Sequence, residues 1–138
     1  MDSRGAAHAI GALKGKRLYH ISQNALLFDL SLPSKDLKFI TVNLLSKNLK
    51  LIDLQNNKIE ALPEEVADLT FLEKLKIDNN LIKVLPSKIG RLQMLQTLTA
   101  CNNQLSMLPP AFEELFRLEI LLLNDNRISS LPAKIGGL

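Results

Sequence analysis

The sequence predicts an α/β solenoid: a curved stack of short repeats with a parallel β-sheet on its concave face. Three observations carry that prediction. The chain repeats itself every 23 residues, each copy holds a period-2 apolar stretch, and an asparagine and a Leu-Pro pair follow that stretch at constant spacing. The pairs are Leu62-Pro63, Leu85-Pro86, Leu108-Pro109 and Leu131-Pro132.

Each full copy opens on Leu49, Leu72, Leu95 or Leu118. Three residues later come Ile52, Leu75, Leu98 and Leu121, then Leu54, Ile77, Ala100 and Leu123. This alternation predicts a short strand with one buried face. Alanine at 100 breaks the column, and Met94 or Met107 is expected to reach in and fill the gap.

After the strand the chain must turn. A buried turn leaves backbone N–H and C=O groups in need of partners, and an asparagine side chain supplies both a donor and an acceptor. Asn57, Asn80, Asn103 and Asn126 recur at this point and are expected to form a structural ladder. Next come Ile59, Ile82, Leu105 and Ile128, then the Leu-Pro pair, whose proline stops any further strand ladder. The return segment, for example "PSKIGRLQM", spaces Ile89 and Leu92 for one helical or 3₁₀ turn. No unit can bury its leucines alone, so the units must stack.

A degenerate first copy is expected over 27–48, with Leu30, Leu32, Leu37 and Ile40 in the apolar slots and Lys35 in the asparagine slot. Residues 1–26 form a separate leader. Arg4, Lys14, Lys16 and Arg17 stand there against Asp2 alone, which accounts for the whole net charge of +3. Ile10, Leu13, Leu18 and Ile21 are at near-helical spacing, so a short helix capping the first repeat is the expectation. At the other end, Leu138 is the last apolar position of a repeat, which leads to the expectation that the C-terminal cap is missing and that a neighbour covers this edge.

The pattern L-x-x-L-x-L-x-x-N-x-[IL]-x-x-L-P-x-x-[IVF]-x-x-L over 49–138 resembles the leucine-rich repeat in its 23-residue, Leu-Pro-containing intracellular form. It is similar to the repeats of small cytosolic proteins and of Ras-pathway and cell-polarity scaffolds. That resemblance implies a right-handed stack, with short helical, 3₁₀ or extended segments on the convex side. It also implies a scaffold or regulatory role exercised by binding a protein.

Composition agrees with a binding role. A neutral body with a short basic leader is not the footprint of a nucleic-acid-binding domain. A single cysteine rules out an intramolecular disulfide, no Asn-x-Ser/Thr sequon occurs, and no apolar run is long enough for a membrane span. An intracellular, cytoplasmic protein is therefore expected, with membrane contact through the leader as a weaker alternative.

No catalytic constellation, metal site or cofactor site is expected. His8 and His20 lie in the leader, far in sequence from Cys101. "GALKGK" lacks the spacing and the Ser/Thr of a phosphate loop. Glu64-Glu65 and Glu113-Glu114 fall on the convex side, where nothing would shift their ionisation. Convex columns Asp68–Arg91–Glu114 and Glu65–Lys88 alternate in sign and are expected to favour register.

Binding residues should instead lie at outward strand positions, since inward ones are committed to packing. These are Lys74, Lys76, Asp78, Thr97, Thr99, Cys101, Ile120, Leu122 and Asn124. A structural subunit, held by the leader and the C-terminal edge with its concave face idle, is the alternative.

Overall fold

The computed structural model describes residues 28–41 and 46–133, together with the backbone of Ile10–Leu13 and Lys16–Tyr19. The first two elements, β1 (Ile10–Leu13) and β2 (Lys16–Tyr19), pair antiparallel, with Ile10 opposite Tyr19. A helix over these positions is therefore not what forms. Only Lys14 and Gly15 separate the two segments, and a two-residue connection containing glycine favours a hairpin. The rest of the leader lies outside the described residues.

Five three-residue strands follow: β3 (Asp29–Ser31), β4 (Leu51–Asp53), β5 (Lys74–Lys76), β6 (Thr97–Thr99) and β7 (Ile120–Leu122). They make one parallel sheet in sequence order. The register is that of the repeat itself, so that Leu30, Ile52, Leu75, Leu98 and Leu121 stand side by side. The degenerate first copy is thus a full member of the sheet.

The ladder continues beyond the strands with the same step. Leu54, Ile77 and Ala100 donate their N–H groups to the carbonyls of Lys76, Thr99 and Leu122 at 2.8–2.9 Å. Further on, Lys58, Leu81, Gln104 and Arg127 donate to Leu37, Ile59, Ile82 and Leu105 in the repeat before. On the convex side the chain returns through 3₁₀ turns at Glu64–Asp68, Ile89–Arg91 and Pro110–Glu114.

One continuous core runs between sheet and turns. Leu30, Leu49, Ile59, Leu72, Leu75, Ile77, Ile82, Ile89, Leu92, Leu95, Leu98 and Leu105 are wholly excluded from solvent. Each such side chain stabilises the stack by about 1.5–3 kcal/mol through burial. Ala100 is also fully buried, but neither methionine closes over it. Met107 is exposed, and Met94 places its sulfur 3.0 Å from Nη1 of Arg117. Both residues stand outside the strands and 3₁₀ turns, Met94 half-buried and Met107 exposed.

Candidate functional site

The asparagine ladder forms as the spacing predicts. Asn80 donates from Nδ2 to the carbonyl of Leu54 in the preceding repeat at 2.9 Å and to Ile77 in its own at 3.1 Å. Its Oδ1 accepts the N–H of Ile59 at 3.1 Å. Asn103 repeats this geometry with Ile77, Ala100 and Ile82, and Asn126 with Ala100, Leu123 and Leu105. Asn57 takes two N–H groups, those of Lys35 and Leu37, both at 3.0 Å. Lysine in the asparagine slot of the first copy thus contributes its backbone N–H as a donor at the first end of the ladder.

A second column of asparagines runs beside the first. Asn56, Asn79 and Asn102 sit in the left-handed region at φ 55–59°, which asparagine tolerates better than most residues. Asn102 donates to Oδ1 of Asn79, and Asn79 to Oδ1 of Asn56, each at 2.7 Å. These residues were not among the sequence candidates. Their signal is the dipeptide Asn-Asn, repeated at 56, 79 and 102 and ending in Asp125-Asn126.

On the concave face the outward residues form two rows across the sheet. One row runs Asp29, Leu51, Lys74, Thr97, Ile120; the other runs Ser31, Asp53, Lys76, Thr99, Leu122. Lys74 is exposed and Lys76 half-buried, and neither has an ion-pair partner among the described residues. Ile120 and Leu122 are 49% and 45% exposed. These large aliphatic groups cover no core.

Next to these rows lies a polar unit that belongs to the fold as much as to the surface. Asp78 accepts the hydroxyl of Thr99 on Oδ2 at 2.7 Å and the N–H of Cys101 on Oδ1 at 2.6 Å. Thr99 is consequently buried, with 9% of its surface exposed, although it sits at an outward position. Asp78 and Thr99 therefore offer a partner less than their alternation suggests. Thr97 is half-buried and Asn124 exposed.

Cys101 is half-buried beside this unit. Burial pushes its thiol up from the ordinary value of 9.0; a bond to the Asn124 backbone opposes this, and the charges of Asp78 and Asp125 reinforce it. Such surroundings keep the group a neutral thiol at physiological pH, the reverse of what activates a nucleophile.

On the convex side Arg91 Nη1 meets Asp68 Oδ1 at 3.2 Å, while Glu65 and Lys88 do not pair. Among the described residues no three His, Cys, Asp or Glu side chains gather where a metal could be held, and no helix is long and apolar enough to cross a membrane.

Comparison with known proteins agrees with this architecture. The Leucine Rich Repeat family model matches residues 48–69 and 94–115. No curated protein sequence matches the chain. Among solved structures it is similar to a leucine-rich-repeat protein of Leptospira interrogans, at 35% identity over 77% of this chain with a TM-score of 0.72. It is also similar to an internalin from Listeria monocytogenes, at 31% identity over 75% with a TM-score of 0.67. A third is YopM, a leucine-rich effector protein from Yersinia pestis, at 31% identity over 70% with a TM-score of 0.58. The chain spans 27%, 30% and 26% of those three proteins. With two of its repeats matched in sequence and its sheet matched in three dimensions, the chain carries leucine-rich repeats and has the leucine-rich-repeat fold.

Proposed function

We propose that this chain is a non-enzymatic, intracellular recognition module that binds a protein partner on its concave face and adjoining rim. Leucine-rich-repeat proteins generally act as protein–protein interaction modules. The observation that carries the reading here is a contrast between two sets of residues on the same strands. Inward positions are held to Leu and Ile across all five strands, while the outward rows vary among acidic, basic, hydroxyl and aliphatic residues. The lysines of those rows have no ion-pair partner among the described residues, and Ile120 and Leu122 are about half exposed.

Area says that the rim takes part. Five strands about 4.8 Å apart, each offering a few residues, make a sheet face of roughly 300–400 Å². A stable interface takes about 800 Å² from each partner. Phe71 and Phe116, 55% and 78% exposed in the loops that lead into β5 and β7, extend the surface at one rim.

The test is capture of partners by the tagged wild type and by a Lys74→Glu/Lys76→Glu/Leu122→Asp variant, matched for folding by circular dichroism and read by quantitative mass spectrometry. Loss of specific partners with the variant supports a concave site. Retention of the same partners moves the binding function to the leader or another face, as expected of a structural subunit.

A further inference from the structure

We propose that the partner enters the concave face as an extended segment of alternating acidic and aliphatic residues, lying along β6. This rests on the concave reading above and adds to it the conformation and chemistry of the occupant.

The face is a trough. Its floor is β6, where Thr97 is half-buried and Thr99 is buried under its bond to Asp78. One wall is Lys74 and Lys76 on β5; the other is Ile120 and Leu122 on β7. The walls stand two strand steps apart, about 10 Å. They also change character in step. One strand position beyond Lys76 the wall becomes Asp78, with both oxygens bonded, and beyond Leu122 it becomes Asn124. The pocket of complementary chemistry is therefore two rows long, basic on one side and aliphatic on the other.

Within a wall, neighbouring groups lie two residues apart on one strand, about 6.6–6.8 Å. An extended peptide lying along β6 with its side chains to left and right repeats at that same distance. Its carboxylates then meet Lys74 and Lys76 while the intervening aliphatic side chains meet Ile120 and Leu122. Its backbone groups point down to the floor, where the Thr97 hydroxyl has no hydrogen-bond partner among the described residues. An α-helix fits less well: its pitch is about 5.4 Å and its width about 10–12 Å, so it drifts out of register and rides on the walls. Charge complementarity selects the acidic side, since neither lysine has an ion-pair partner among the described residues.

Three labelled octapeptides test this by fluorescence anisotropy with the full chain: alternating Glu/Leu, the same residues with all glutamates first, and alternating Lys/Leu. The alternating Glu/Leu peptide should bind about tenfold tighter than either control or better. Lys74→Glu/Lys76→Glu should reverse the preference towards the Lys/Leu peptide, and Leu122→Ser should weaken both alternating peptides alike. Equal binding of the two acidic peptides, or a ranking that the lysine variant leaves unchanged, overturns the inference. If the captured protein partners depend on the concave residues while the peptides show no such ranking, the binding face stands and the extended acidic–aliphatic occupant falls. If partner capture is indifferent to those residues as well, both fall.

Discussion

Asp78 and Cys101 are joined across the β5–β6 boundary, the carboxylate taking the backbone N–H at 2.6 Å while its other oxygen holds Thr99. This clamp closes the face of the sheet at the repeat where Ala100 weakens the apolar column. Asp78→Ala leaves the Thr99 hydroxyl and the Cys101 N–H without their acceptor and should cost about 1–3 kcal/mol in urea unfolding. Asp78→Asn keeps one acceptor oxygen and should cost less.

The two asparagine columns should respond differently to truncation. Asn80→Ala orphans the buried N–H of Ile59 and takes one of two side-chain donors from each of the carbonyls of Leu54 and Ile77, which keep Asn57 and Asn103, with an expected loss of about 1–3 kcal/mol. Asn102→Ala removes an exposed bond only and should cost about 1 kcal/mol or less, part of it from the left-handed backbone. Urea denaturation of the two variants side by side checks the ranking.

Gly90 illustrates a constraint between convex turns. A Cβ there would collide with the carbonyl oxygen of Ala111 and approach Glu114 within 3.0 Å. Gly90→Ala should destabilise the stack by about 1–3 kcal/mol through overpacking. Thermal unfolding would show it as a lowered Tm, whereas glycine placed there for turn flexibility alone would leave Tm unchanged or raised.

The thiol of Cys101 sets an alkaline limit. Its folded pKa lies above the ordinary 9.0, so the neutral form is favoured in the native state. Its contribution to stability is complete below that value and is lost as pH rises through it. Stability measured from pH 8 to pH 10.5 should fall more steeply for the wild type than for Cys101→Ala. Alkylation by iodoacetamide at pH 8 should be severalfold slower than for a free thiol.

Much of this architecture is legible in the sequence, because a repeat protein writes each structural requirement several times. The strand register, the ladder of Asn57, Asn80, Asn103 and Asn126, and the membership of the degenerate first copy all follow from column alignment. What alignment misses are choices made once or between neighbours. Asp78 turns towards Thr99 because a hydroxyl and a free N–H lie on the next strand, which a single column does not display. The hairpin of β1 and β2 is local, and its near-helical apolar spacing competes with a glycine-containing two-residue link. The second asparagine column was present as a dipeptide, but its meaning depends on left-handed backbone that only the structure displays.

The most direct measurement of the central claim is lysine footprinting: acetylation of the tagged protein in cell extract and after purification, read at each lysine by mass spectrometry. Lys83 and Lys88 are exposed away from the outward strand rows and serve as internal references. Protection of Lys74 and Lys76 in extract, with Lys83 and Lys88 labelled equally in both samples, is the result a concave binding face predicts. Full labelling of Lys74 and Lys76 in extract while other lysines are protected would contradict it.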